Sequence, residues 1–157
     1  MKKMMVLLGM LVLAACLMTG CQSVPVSEAE AVEEIAYDVE IKEKMFIAQT
    51  NDIYLNINDY LGKTIKYEGM FFGTHYEPTD SMLYMVIRYG PGCCGDDGNA
   101  GFEVAWDNAD IAVPSNNDWV EVIGELEEYD ELGQRYFRLD VKSLRVLDER
   151  GAETVLQ

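Results

Sequence analysis

The chain has 157 residues and carries 12 basic against 28 acidic side chains, a formal net charge of −16 at pH 7. This acidic balance argues against nucleic-acid binding and against docking on anionic lipid, because both need clustered cationic groups. With a single histidine and no serine in a nucleophile-elbow setting, the sequence shows no hydrolytic triad.

The amino terminus has the pattern of an export signal. Lys2 and Lys3 precede an apolar run over residues 4–18, which is short for a membrane-spanning helix and typical of a signal-peptide core. The run ends at Leu17-Met-Thr-Gly-Cys21, which resembles the lipobox of bacterial lipoproteins. Residues 1–20 are therefore predicted to be a lipoprotein signal peptide.

The lipobox resemblance implies a lipid anchor, such as palmitate, on Cys21. Leu13-Ala-Ala-Cys16 is the alternative lipobox, with Cys16 as the attachment site. Either anchor predicts a protein held at the extracytoplasmic face of the cytoplasmic membrane. Residues 21–39, rich in glutamate and without a large apolar cluster, are predicted to be an acidic tether.

Residues 40–149 are predicted to form one all-β domain, with residues 150–157 as a C-terminal tail. Alternating or continuous apolar residues predict strands, and the phase of the last strand changes as a bulge near Ser143 would produce. The predicted strands cover residues 44–48, 64–76, 82–89, 102–106, 120–126 and 137–146. Residues 50–63 are interpreted as a polar stretch ending in a glycine turn, and further turns are predicted at 77–80, 90–101, 114–118 and 129–133.

Five main strands of this length favour a small closed barrel over a flat sheet. Gly69 and Gly124 fall in mid-strand, where they permit the bends that closure requires. The long first strand over residues 64–76 favours a five-stranded OB-like barrel. The helix often found between the third and fourth OB strands would be reduced to residues 109–114.

Three blocks of the chain resemble the C-terminal domain of the YcgQ-type proteins. The blocks are Tyr60-Leu-Gly-Lys-Thr-Ile-Lys-Tyr-Glu-Gly69, the run from Arg88 through Cys93-Cys94-Gly-Asp-Asp97, and Asp118-Trp-Val-Glu-Val-Ile-Gly-Glu125. These bacterial membrane-associated proteins are described as candidate subunits of a permease. The resemblance implies a permease-associated setting and assigns Arg88, Cys93, Cys94 and Asp97 to the family's Cys-Cys-x-x-Asp turn.

The same turn is the candidate metal site. Thiolates bind zinc or copper(I), and carboxylates close by could complete the coordination. Cys93, Cys94, Asp96 and Asp97 are therefore the candidate ligands, and His75 would join them if its strand end approaches the turn through the hairpin at residues 77–80.

Two other interpretations of the cysteines stay open. One is a reversible Cys93–Cys94 disulfide, although the neighbouring aspartates would raise the thiol pKa and weaken the nucleophile. The other is purely structural, with one cysteine facing the core and the other capping the turn.

A set of aromatic residues could line a binding face of the barrel: Tyr67, Phe71, Phe72, Tyr76, Tyr84 and Tyr89. The functional expectation is a non-enzymatic, lipid-anchored accessory or ligand-binding subunit of an integral-membrane permease, with no nucleic-acid partner. The alternative is a thiol-dependent zinc, copper(I) or redox protein.

Overall fold

A computed structural model describes the backbone of residues 35–92 and 95–155, and the side chains of that part except those of residues 91–97. The predicted signal peptide, both lipid-attachment candidates and most of the tether lie outside it. The strands are β1 (Val39–Glu40), β2 (Thr64–Tyr76), β3 (Ser81–Gly92), β4 (Gly95–Ala105), β5 (Trp119–Glu131) and β6 (Gln134–Val146). The helices are a 3-10 turn (Glu43–Met45), α1 (Phe46–Leu55) and α2 (Ile57–Tyr60).

The five long strands close into a barrel in the order β2-β3-β4-β6-β5, with β5 returning to β2. All neighbours are antiparallel except β4 and β6, and the short β1 adds in parallel to β2. This arrangement confirms the predicted OB-like barrel. Within the described residues no helix is long and apolar enough to cross a bilayer.

The predicted first strand matches β2 from end to end, and its curvature follows from its pairing. Thr64 to Met70 pair with β5, while Met70 to Tyr76 pair with β3. Gly69 lies where β2 passes from one neighbour to the other, and a Cβ there would come 2.8 Å from the Ile87 carbonyl oxygen. Close strand approach therefore requires glycine at this bend.

The bulge predicted near Ser143 is confirmed. Ile123 pairs with Ser143, but the next residue, Gly124, pairs with Val141, so Lys142 is the extra residue in β6.

The strand predicted at residues 44–48 is wrong, because this segment is helical. Phe46, Thr50 and Ile53 are buried on one side of the helix that begins here, at the i, i+4, i+7 spacing of a helical face. The Thr50 hydroxyl donates to the Phe46 carbonyl at 2.7 Å, and the Phe46 ring packs 5.8 Å from that of Tyr67 in the barrel. Helix α1 therefore packs its apolar face against the barrel core.

Two predicted turns are much shorter than expected. Only two residues, 93 and 94, separate β3 from β4, whose last pair is Gly92 with Gly95, so most of the predicted 90–101 turn is strand. The irregularity between Gly90 and Gly92 coincides with Pro91, which has no N–H to give to a ladder. The predicted 129–133 turn likewise reduces to Leu132 and Gly133, both with positive φ.

The reduced helix expected at residues 109–114 does not form; this segment contains a turn and a bend. Instead, the helices precede β2 in the chain. The core lies inside the barrel and continues under α1, and its largest fully buried side chains are Trp119, Tyr67, Phe46, Phe71, Phe102, Ile53, Ile65, Met70 and Leu126.

Candidate functional site

The cysteine turn occupies the tip of the β3–β4 hairpin. Cys93 and Cys94 themselves lie outside the described residues, as do the side chains of Asp96 and Asp97, whose backbone belongs to β4. The metal, disulfide and structural interpretations of this turn therefore stay predictions.

His75 lies far from that turn. It pairs with Met82 at the β2–β3 hairpin, and its Nε2 atom is 2.9 Å from an Asp80 carboxylate oxygen. The cysteines follow the opposite end of β3, so the expected approach of His75 to them is wrong. Within the described part of the chain, no three histidine, cysteine, aspartate or glutamate residues are grouped closely enough to hold a metal ion.

Arg88, assigned by resemblance to the cysteine turn, is instead the centre of a buried polar cluster. It is 2% exposed. Its Nε donates to the Glu68 carbonyl at 2.8 Å, and one terminal nitrogen donates to a Glu43 carboxylate oxygen at 3.0 Å and to the Ala152 carbonyl at 3.1 Å. The guanidinium also lies 4.7 Å from the Trp119 ring centroid.

The same Glu43 oxygen accepts the Ala152 N–H at 2.8 Å. This hydrogen bond and the one from Arg88 lower the pKa of the Glu43 carboxyl.

We call Glu43, Arg88, Trp119 and Ala152 the arginine clamp. It joins the segment before α1, the barrel wall and the C-terminal segment, so its role is structural. A lone arginine within the apolar 82–89 strand was the one sequence signal for it, since a buried guanidinium needs partners.

A groove of about 430 Å³ lies on the barrel surface beside the β2–β3 hairpin. It is bordered by β3, β4, β5, β6 and the loop after β4, and its walls include Tyr76, Met82, Tyr84, Glu103, Trp106, Val113, Tyr129, Glu131 and Arg138. We call it the aromatic groove.

Stacked rings form one wall of the aromatic groove. The rings of Tyr84, Phe71 and Trp106 contact one another: Tyr84 lies 5.5 Å from Phe71 and 5.3 Å from Trp106, and Phe71 lies 6.4 Å from Trp106. The Trp106 indole N–H donates to the Ile111 carbonyl at 3.2 Å, which fixes the ring. Of the six aromatic residues expected on a binding face, Tyr76 and Tyr84 line this groove, while Tyr67 and Phe71 are buried in the core.

The loop that carries Val113 is held against the barrel. The Asn116 side chain accepts the Gly73 N–H at 2.7 Å and donates to the Gly73 carbonyl at 3.1 Å. It thus forms with β2 the two hydrogen bonds that a residue of a neighbouring strand would form. The groove wall is therefore set by hydrogen bonds between elements distant in sequence. Trp106 and Val113 were not predicted as site residues, because no local pattern indicates where this loop packs.

Charged groups also line the aromatic groove. The Tyr129 hydroxyl donates to the Glu103 carboxylate at 2.6 Å. Burial raises the pKa of the Glu103 carboxyl, while burial and the Glu103 hydrogen bond raise the pKa of Tyr129. Arg138 forms a 2.6 Å ion pair with Glu127 and lies 4.6 Å from the Tyr129 ring centroid.

A second groove of similar volume lies between α1, β4 and β6. Tyr54 stacks on Phe102 within it and donates to the Gly101 carbonyl at 2.9 Å. Arg135 also lines it and is paired with Glu128 at 2.6 Å. The Tyr54 hydroxyl and the Arg135 charge are thus already engaged, and of the two grooves only the aromatic groove has a tryptophan in its lining, which makes it the stronger candidate site.

Comparison with curated proteins gives no match. The family model described as the DUF1980 C-terminal domain matches residues 24–152, which is well over half of the chain.

Proposed function

The chain belongs to the DUF1980 C-terminal domain family, and from that premise we propose that it is a membrane-anchored lipoprotein whose OB-like barrel serves as a non-enzymatic, ligand-binding accessory subunit of a membrane permease. The barrel is the binding module, the permease is its partner, and the acidic tether is the spacer that holds the barrel off the membrane.

The aromatic groove carries this proposal. Concave sites lined by aromatic side chains with a few fixed polar groups are the usual form of small-molecule sites. The groove has this composition, and its rings are already held in place by stacking and by the bond from Trp106 to Ile111. Because the walls are ordered in advance, a ligand loses little affinity to ordering them.

The permease setting is supported by resemblance. The Tyr60 to Gly69, Arg88 to Asp97 and Asp118 to Glu125 blocks resemble the YcgQ-type permease-associated proteins. The lipobox ending at Cys21, or its alternative at Cys16, supports an anchor at the extracytoplasmic face.

Site-specific photo-crosslinking in native membranes tests the proposal. A crosslinking amino acid at Val113, which is 56% exposed on the groove wall, should capture one integral-membrane permease subunit. The matched control is a crosslinker at Leu55, which is 83% exposed on α1 and lines neither groove. Equal capture from both positions, or capture of soluble proteins alone, would contradict the proposal.

The second candidate is thiol-dependent binding of zinc or copper(I). The Gly92–Gly95 pair favours it, because it confines both cysteines to a two-residue connection at a hairpin end. This alternative predicts stoichiometric metal on the purified chain that Cys93→Ser or Cys94→Ser removes. Metal-free protein with two reduced, unreactive thiols would exclude it.

A further inference from the structure

The two tryptophans of the barrel differ in what lies over their rings. Trp119 already carries two cations of its own chain, with Arg88 at 4.7 Å and Arg150 at 5.6 Å from its centroid. Among the described side chains, no lysine or arginine lies over Trp106. Tyr84 covers part of Trp106, which nevertheless stays partly exposed in the aromatic groove.

Glu103 on β4 is a partly buried carboxylate that lines the aromatic groove. Three glutamates of β5 are paired at 2.6 Å with cations of β6: Glu125 with Lys142, Glu127 with Arg138 and Glu128 with Arg135. Within the described part of the chain, Glu103 forms no ion pair, and its side-chain hydrogen bond comes from the neutral Tyr129 hydroxyl. Burial raises the pKa of its carboxyl, while the Tyr129 hydrogen bond and the charge of Arg138, its pairing partner on β6, act in the opposite direction.

We infer that the aromatic groove binds a small organic cation, an ammonium group with apolar substituents, between the Trp106 ring and the Glu103 carboxylate. This inference rests on the proposed ligand-binding function and specifies its ligand class. Tryptophan is the best aromatic partner for such a cation, and a partly desolvated carboxylate attracts it more strongly than an exposed one.

The remaining walls agree with this ligand class. Met82 and Val113 line the groove and are about half exposed, which offers apolar surface to the substituents of the ammonium group. Arg138 is the one basic residue in the lining, and its charge is already engaged by Glu127. The net charge of −16 favours the approach of cations and opposes that of anions.

Calorimetric titration of the full chain, purified in an uncharged detergent, tests the inference. The probes are choline, its uncharged isostere 3,3-dimethyl-1-butanol, and glucose as a neutral polar probe. We expect choline to bind at least about tenfold more tightly than the isostere, because only the cation gains the ring and carboxylate interactions. Glu103→Gln should weaken choline binding by roughly tenfold.

Two further variants test whether a change in choline affinity comes from the groove residues named above. Trp106→Phe keeps an aromatic ring but removes the indole N–H bond to Ile111, and it should weaken choline binding by several-fold, since phenylalanine is the weaker partner for a cation. Glu125→Gln removes a carboxylate from the same sheet outside the groove and should leave affinity within about twofold.

Equal binding of choline and its isostere, no choline binding, or an unchanged affinity in Glu103→Gln would each overturn the inference. If choline fails but the Val113 crosslink to a permease persists, only the ligand class is wrong. If the crosslink is also absent, the proposed function fails with it.

Discussion

Arg88 is the residue on which three separate parts of the fold depend. Its guanidinium N–H groups donate hydrogen bonds to the Glu68 and Ala152 carbonyls and to the Glu43 carboxylate. The Arg88 side chain is 3% exposed, and hydrogen bonds to a charged group contribute about 1.5–3 kcal/mol each. Replacing Arg88 therefore affects several groups at once.

We expect Arg88→Met to lower the free energy of unfolding by about 2–4 kcal/mol, since methionine fills part of the space but donates no hydrogen bond. Urea denaturation followed by circular dichroism measures this. Arg145→Met is the control, because Arg145 is 63% exposed and its partner Glu121 keeps its ion pair with Lys66, so the change should cost less than about 1 kcal/mol. Equal effects of the two variants would contradict a structural clamp.

The clamp also predicts a pH dependence through Glu43, whose pKa the Ala152 N–H and Arg88 lower from the usual 4.5. A carboxyl with a lower pKa in the folded chain contributes stability that is present above the unfolded pKa and lost as pH falls through the folded one. Stability should therefore fall on acidification below about pH 5. Glu43→Gln should flatten this part of the profile, measured as the urea midpoint against pH, whereas the exposed Glu149→Gln should not.

The residues of the clamp show why sequence alone could not define it. Arg88 contacts Glu43 and Ala152 across 45 and 64 positions of the chain. An isolated charge in an apolar strand predicts that partners exist, but nothing local names them. Resemblance assigned Arg88 to the family's Cys-Cys-x-x-Asp turn, whereas the fold turns its side chain into the barrel wall.

At the scale of elements, α1 shows that a short apolar run can be assigned to the wrong secondary structure. Met45, Phe46 and Ile47 are consecutive, and a run of that length fits a buried strand as well as a helix. The decisive pattern is the wider spacing of Phe46, Thr50 and Ile53, which becomes one buried helix face only when the barrel supplies its partner. Tertiary packing thus determines that this segment is a helix, which local sequence preference leaves ambiguous.

We expect Ile53→Ala to destabilise the protein by about 2–4 kcal/mol, because Ile53 is 1% exposed in the core beneath α1. Leu55→Ala on the same helix is the control and should change stability by less than about 0.5 kcal/mol, since Leu55 is 83% exposed. Thermal and urea unfolding of both variants distinguish them. A similar loss in both would indicate that helix propensity, and not burial, stabilises α1.

For the two hairpins, the sequence predicted too little strand instead of too much. Glycine-rich and acidic residues over 90–101 and 129–133 predicted long turns, but the ladders continue almost to each tip. Glycine weakens a strand without forbidding its hydrogen bonds, so paired neighbours extend it. At the β5–β6 tip, Leu132 and Gly133 take the two positive φ values, 52° and 78°, that a two-residue hairpin connection favours.

At the scale of the whole molecule, the barrel could be predicted because alternation along each strand is a local signal. Strand spacing and mid-strand glycines then limited the closed architectures to a few. The aromatic groove could not be predicted in the same way. Its walls depend on where the loop after β4 packs, and the Asn116 contacts with Gly73 that hold this loop span 43 positions.

The C-terminal segment is hydrogen-bonded both to the barrel and to the segment before α1. Residues 152–155, predicted only as part of a tail, pair with the edge of β3: the Tyr89 N–H donates to the Glu153 carbonyl at 2.8 Å, and the Val155 N–H donates to the Tyr89 carbonyl at 2.9 Å. Gly151 brings this segment against the clamp, where a Cβ would lie 2.9 Å from the Trp119 ring.

Removing residues 150–157 should therefore destabilise the whole barrel and not merely shorten a tail. The deletion takes away both Tyr89 bonds and both Ala152 bonds, so we expect a loss of roughly 2–4 kcal/mol at about 1 kcal/mol per hydrogen bond. Hydrogen exchange of the β3 amides, together with urea unfolding, measures it. Arg150→Ala, which keeps these four backbone contacts, should cost much less, and equal stability of the deletion and the full chain would show that the ends fold independently of the barrel.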